Sequence, residues 1–185
     1  MIFVGGIHTM RDNGQVTNRE VLMKDKDILV SGTDTGGRIQ FTNKTFVDIS
    51  GFAEDELVGA PHNIIRHRDM PKEAFANLWE TIKSGLPWQG LVKNRSKNGD
   101  HYWVRANVTP VIENGAVSGY LSIRTKPSEA DKKRAEQVYA DLRNGKAQNI
   151  GLEQGEIVQT GPAARFKTFF AGIKGSLTLA FGTMV

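Results

Sequence analysis

The segment Trp88–Thr125 reads WQGLVKNRSKNGDHYWVRANVTPVIENGAVSGYLSIRT, and it decides the fold. Three strand-length runs divide it: Trp88–Arg95, His101–Ile112 and Ala116–Thr125, each carrying β-branched or aromatic residues. Between the first two lies Lys97-Asn98-Gly99-Asp100, where Asn-Gly supplies the positive φ values of a type I′ hairpin turn. Glu113-Asn114-Gly115 turns the second run into the third, and Pro127 stops the last. Hairpin-joined runs of this kind make an antiparallel sheet.

Working upstream, Ile28–Asp34 and Ile39–Thr42 flank the turn Thr35-Gly36-Gly37-Arg38, which predicts a second hairpin. Short helical segments lie between the hairpins. Asn43 opens one, with Phe46, Val47 and Ile49-Ser50 spaced for one face and Gly51 as its stop. Ala53–Gly59 is a second, and Pro61–Asp69 is irregular or a single turn. Asp69 is a cap-type residue, and Pro71 suits the first turn of a helix with Phe75, Leu78, Trp79 and Ile82 on one face, ended by Gly85. The order is two strands, short helices, three strands. It predicts an α+β domain: a five-stranded antiparallel sheet with short helices on one face enclosing a cavity.

This domain spans residues 25–127. Residues 1–24 are expected to be an N-terminal extension or cap, with Met10 as an alternative start, and the polar stretch 11–26, with Val21, Leu22 and Met23 as its apolar cluster, reads as a cap or short helix. Residues 128–147 contain an amphipathic helix, Ser128–Asn144, with Ala135, Val138, Tyr139 and Leu142 inward. Residues 148–185 are expected to be a linker and an apolar tail. That tail, Phe166–Val185, reads as an interfacial anchor, part of a membrane segment, or a helix packed on a partner; its run after Lys174 is shorter than the roughly 20 apolar residues a span requires.

No cysteine is present, which excludes disulfides, zinc-thiolate sites and cysteine nucleophiles. A net charge of +4 is too small for a dense nucleic-acid face, and no nucleic-acid partner is expected. No motif brings an acid, a base and a nucleophile together, so no catalytic or metal site is assigned and binding is expected rather than catalysis.

The polar residues suit a flat anionic cofactor. Trp79 and Trp88 offer broad apolar surfaces, although a tryptophan at an amphipathic-helix position such as 79 also serves as core. Asn94 and Asn107, on neighbouring strands, are amides that both donate and accept. Arg66-His67-Arg68 is a cationic turn ahead of a helix start, suited to phosphate, with a solvated basic loop as the ordinary alternative.

The strand–helix order is that of PAS sensory domains. Thr42–Val47 with Ser50-Gly51, Pro61–His67, Asp69–Lys72, Gly85–Gly90, Val92–Asn107 and Ser118–Thr125 resemble the PAS module of bacterial aerotaxis and energy-taxis receptors, the Aer-like family. The resemblance covers residues 20–127. It implies non-covalently bound FAD, a redox- or oxygen-sensing role feeding a chemotaxis signalling module, a homodimer, and a cytoplasmic position that can lie at the inner face of the membrane. On it, Arg66 and His67 are placed near the FAD phosphates or ribose, and Asn94 at the flavin. His62 and Asn63 line the pocket mouth, while Phe46, Phe75 and Tyr120 line the cavity; Asn43 is a cap, a pocket amide, or both. Arg68 departs from the family, which has proline in His-Pro-Asp-Met-Pro, and no methyl-accepting signalling domain occurs within these 185 residues. FMN is an alternative cofactor. So is haem, with His62, His67 or His101 as axial ligand. A cofactor-free dimerisation module is the third reading. The light-driven flavin–cysteine adduct of LOV domains is excluded by composition.

Overall fold

The computed structural model describes residues 13–161. Strands β1 (Leu29–Asp34), β2 (Ile39–Thr42), β3 (Trp88–Arg95), β4 (His101–Glu113) and β5 (Ala116–Thr125) form one antiparallel sheet in the order β2-β1-β5-β4-β3. Helices α1 (Lys44–Ser50), α2 (Glu54–Leu57) and α3 (Lys72–Lys83), with a 3-10 turn at His62–Ile65, connect β2 to β3. The α+β expectation and all three hairpins of the sheet are present, with every predicted strand within a residue of its observed bounds; the turn at Asn98-Gly99 is not the expected type I′, since Gly99 has positive φ and Asn98 does not.

Register fixes which side chains face the helices. Asn94 pairs with Tyr102, Val92 with Val104, Gly90 with Ala106 and Trp88 with Val108. Ala106 in turn pairs with Arg124 and Val108 with Ser122, while Arg124 and Ser122 pair with Leu29 and Ser31 of β1. All of these are buried, so this inner face carries apolar residues at β3 and β4 and a polar strip at β1 and β5. Successive residues alternate faces, which puts Gln89, Asn107, Trp103, Arg105 and Ile123 outward.

Asn43 anchors α1 to the sheet. Its Oδ1 accepts from the Phe46 N–H at 3.1 Å and the Val30 N–H at 3.0 Å, and its amide donates to the Ile28 carbonyl at 2.8 Å. Gly51, at φ 70°, ends the helix in the left-handed region. Replacing Asn43 with alanine is expected to cost about 1–2 kcal/mol for the cap, with a further loss because two groups of β1 lose their partner. Urea denaturation measures it, and an unchanged midpoint would contradict the stapling role.

Helix α4 (Glu129–Arg143), capped by Ser128, crosses the outer face over β3 and β4. Tyr139 stacks on Trp103 at 6.3 Å and donates its hydroxyl to the Leu91 carbonyl at 2.7 Å, and Arg105 pairs with Asp131 at 2.8 Å.

Three further expectations are corrected. Residues 13–26 form an extended strap, not a helix: the Thr17 and Val21 N–H groups donate to the Gly99 and His101 carbonyls. Asp69 does not cap α3, whose N-cap is Pro71; its carboxylate is drawn to Lys93 at 2.6 Å. The region assigned as a linker contains a hairpin, β6 (Ile150–Glu153) and β7 (Glu156–Gln159). The tail Phe166–Val185 and the proposed start at Met10 lie outside the described residues. Among those residues no helix is long and apolar enough to cross a membrane.

Candidate functional site

The space between the sheet and the helices is unusually polar for a core. At its centre lies Arg124 of β5, 4% exposed. One guanidinium nitrogen donates to Ser31 Oγ at 3.1 Å and another meets His62 Nε2 at 2.6 Å. The Arg124 guanidinium sits 5.2 Å from the centre of the Phe46 ring, which stacks on His62 at 6.1 Å. No carboxylate pairs with Arg124 among the described residues. Burial therefore pulls its pKa down to about 10.

Arg66, at the end of the 3-10 turn, is a second inward cation. Its guanidinium lies 3.8 Å from the centre of the Phe75 ring, and burial lowers its pKa to about 10. Its backbone bridges to Asn94 on the free edge of β3. The Arg66 Nε and Nη2 are buried without a hydrogen-bond partner. So are Asn94 Nδ2, the Tyr102 hydroxyl, Ser122 Oγ, Asn63 Oδ1 and Thr42 Oγ1. Each such group forfeits about 1–3 kcal/mol unless something meets it. Two buried guanidiniums and a set of partnerless polar groups, all but the acceptor Asn63 Oδ1 able to donate, fit a molecule rich in acceptors and negative charge.

His67 is buried, and its Nδ1 accepts from the Asp69 N–H at 3.1 Å, so the proton sits on Nε2, itself partnerless. Burial holds its pKa down to about 4, against the pull of the Asp69 carboxylate. His62 is pushed further, to about 3, by burial and then by the Arg124 charge. Both rings are neutral at pH 7, while the unfolded chain protonates them near 6.5. Native stability from these groups is complete above about pH 6.5 and falls as pH drops toward 4, by up to ~1.4 kcal/mol per unit for each ring. The melting temperature is expected to decline between pH 7 and 5. A flat profile in scanning calorimetry would contradict the burial of these imidazoles.

The expected residues are distributed as follows. Phe46, His62, Asn63, Arg66, Phe75, Asn94 and Tyr120 are brought to the interior or its rim. Trp79 packs edge-on against Tyr120 at 5.7 Å, partly buried. Trp88 is on the inner face and donates its indole N–H to Asn77 Oδ1 at 3.0 Å. Two residues stand apart from these. Of the two readings of Asn43, the cap is the one observed: its amide is spent on the backbone, as described, which leaves it no group for a ligand. Asn107 points outward: Gln89 donates to it at 2.5 Å, in an open groove of about 600 Å³ shared with Thr109, Gln154 and Glu156. Arg124, Ser31, Tyr102 and Ser122 were not anticipated. Their signal is positional, since all occupy inward strand positions where a polar side chain requires a partner.

The description "PAS fold" matches residues 39–124 of the chain. The aerotaxis receptor of Escherichia coli (strain K12) is 45% identical over 152 residues, covering 82% of this chain and 30% of the receptor. The bacterioopsin transcriptional activator of Halobacterium salinarum is 30% identical over 98 residues, covering 52% of this chain and 14% of the activator. The chain thus spans less than a third of either protein's length. The dark structure of the blue-light photoreceptor Aureochrome1 LOV superposes with a TM-score of 0.53 at 16% identity, covering 64% of this chain and 86% of that one, a likeness of fold alone. The five-stranded sheet, its helical cover and the match across residues 39–124 make this a PAS domain, and its sequence places it in the family of aerotaxis-receptor sensory modules.

Proposed function

We propose that this PAS domain binds FAD non-covalently and passes the flavin's redox state to a chemotaxis signalling partner. The observation that carries the reading is the pair of buried guanidiniums, Arg66 and Arg124, which pair with no carboxylate among the described residues and lie among polar groups without hydrogen-bond partners. An isoalloxazine edge and a pyrophosphate supply the acceptors and charge that these groups lack. Arg66 and His67, at the end of the 3-10 turn, would hold the phosphate or ribose; Asn94 and Arg124 would meet the polar edge of the ring. Phe46 and Trp88 would provide apolar faces.

When bound, a flavin supplies reversible reduction with proton uptake at N5. Asn94 can follow that change, because its amide presents a carbonyl or an NH₂ by rotation. A different contact free energy in the two states then biases β3 and its neighbours. The His62 Nε2 already faces Arg124, which leaves haem ligation to His67 or His101. The domain is expected to act as a homodimer on the cytoplasmic side, with a position at the inner face of the membrane belonging to the reading in which the tail is an anchor.

The test is an absorption spectrum of purified protein before and after dithionite. Two flavin bands that bleach support the reading, and chromatography of the released cofactor separates FAD from FMN. A Soret band, or no colour after incubation with FAD, sinks it. Asn94→Ala is expected to abolish the redox-dependent change in shape or weaken FAD binding; if it did neither, the proposed coupling would be wrong.

A further inference from the structure

Asn77, on α3, joins three elements through one amide. Its Oδ1 accepts from the Trp88 indole N–H at 3.0 Å and from the Gly155 backbone N–H at 2.8 Å. Its Nδ2 donates to the Leu152 carbonyl at 3.1 Å. Gly155 lies in the turn of the β6–β7 hairpin, and Trp88 begins β3. The ring of Trp88 lies between two glycines. A Cβ on Gly90 would stand 2.5 Å from the ring, and one on Gly155 would stand 2.7 Å from it and 2.1 Å from the Gln89 carbonyl oxygen. Gly155 also has φ +93°, where a side chain is strained in any case. The hairpin turn is therefore seated on the indole at van der Waals contact, and the indole cannot swing without losing its N–H partner or striking the turn.

The hairpin has little else to hold it. Its polar links elsewhere are the Gln89 N–H to the Gln154 carbonyl at 2.9 Å, Arg134 to the Ile157 carbonyl at 3.3 Å and Arg105 to Glu156 at 3.7 Å. Ile150, Leu152 and Ile157 add partly buried apolar contact with the core. A hairpin of two four-residue strands is marginal by itself, so it is ordered when docked and loses order when released.

We propose that Asn77 is a positioning residue that locks the β6–β7 hairpin to the Trp88 ring, making the docked hairpin the element through which a change at that ring leaves the domain. The identity of the trigger rests on the flavin reading above; the lock itself does not. Trp88 is both a buried residue of the sheet's inner face and the seat of the hairpin turn, so a displacement of its ring displaces the turn. Release frees residues 150–159, which lead directly toward the C-terminal part of the chain.

Amide hydrogen exchange on the full chain tests this. Asn77→Leu, which keeps the number and branching of side-chain heavy atoms and removes all three bonds, is expected to speed exchange across residues 150–159 about tenfold, with β4 and β5 unchanged. Trp88→Phe, which keeps an aromatic ring and removes the N–H, should do the same, and the double variant should go little further. Gly155→Ala, which adds a methyl against the Gln89 carbonyl and the Trp88 ring while leaving Asn77 in place, should likewise speed exchange across residues 150–159. In flavin-loaded protein, dithionite reduction should change hairpin exchange several-fold in the native chain and not in Asn77→Leu. Hairpin exchange that ignores Asn77→Leu, or that stays constant while the flavin bleaches, would overturn the proposal and leave the cofactor reading intact. Absence of any flavin with the hairpin still loosened by both variants would overturn the cofactor reading and leave the lock standing.

Discussion

Arg124→Met is expected to leave the ligand-free protein at least as stable as the native chain while lowering its affinity for FAD about 10- to 100-fold. Two opposing effects set the first half. The substitution removes the hydrogen bonds to Ser31 and His62, and their loss costs about 1–3 kcal/mol. It also removes a guanidinium that is 4% exposed and has no carboxylate partner among the described residues. Desolvation of an ion at such a depth carries a penalty of several kcal/mol, and replacing buried charges with apolar side chains of like volume is often neutral or stabilising. The second effect outweighs the first here because the Arg124 partners are neutral. The affinity loss follows from one charge-assisted hydrogen bond, worth about 1.5–3 kcal/mol, at ~1.4 kcal/mol per tenfold. Urea denaturation of the ligand-free variant and a flavin fluorescence titration check the two halves. A variant that is strongly destabilised yet binds FAD normally would show that Arg124 is structural and not a ligand contact.

The same residue marks a limit of the sequence. Along β5, Leu121 and Ile123 alternate with Tyr120, Ser122 and Arg124, and simple hydrophobic alternation would turn the two aliphatic residues inward. The structure does the reverse: Ile123 is 41% exposed, while Ser122 and Arg124 are buried. Alternation reports which face avoids water only where the interior is apolar, and the β1–β5 side of this interior is not. The outward position of Asn107 was likewise beyond the sequence. A two-residue type I′ turn at Asn98-Gly99 would pair Lys97 with Asp100 and hence Gly90 with Asn107, and residues 90 and 94 differ by an even number, which would put both asparagines on one face. In the structure the Ser96 N–H donates to the Asp100 carbonyl around a three-residue loop in which Gly99 and not Asn98 has positive φ, so Gln89 pairs with Asn107 and the two asparagines sit on opposite faces. The five strands, the Asn43 cap and the long helix after Pro127 were legible because each carries its own local signal of turn, cap or period. The β6–β7 hairpin was not. Its strands are four residues long, and Gly151 and Gly155 read as linker composition until the seat offered by Trp88 and Asn77 is known. Asp69 likewise has the chemistry of a cap, and the buried Lys93 wins it by charge.

Phe46→Ala is expected to be the most damaging single change. α1 is only seven residues long, and Phe46 is its one fully buried large side chain; Asn43 holds its start, and the Ile49 and Ser50 carbonyls accept from Ser96 and Lys97 at its end. Phe46 is fully buried, whereas Phe41, two residues before Asn43, is 50% exposed. Truncating a buried phenylalanine costs about 3–5 kcal/mol, through lost transfer free energy and the cavity left behind, against a total of about 5–15 kcal/mol for a typical domain. Phe41→Ala should change stability by less than about 0.5 kcal/mol. The Phe46 truncation also removes the ring over which Arg124 lies and against which His62 stacks, so the buried cation loses a face as well as a neighbour. Thermal melts of the two variants, with and without saturating FAD, separate packing from binding. Ligand binding raises stability in proportion to RT ln(1 + [L]/Kd), so an equal increment in native protein and Phe46→Ala would make Phe46 a core residue alone. A smaller increment in the variant would show that the ring which anchors α1 is also a wall of the cofactor site, and that the short helix is held in place by the same contact that recognises the ligand.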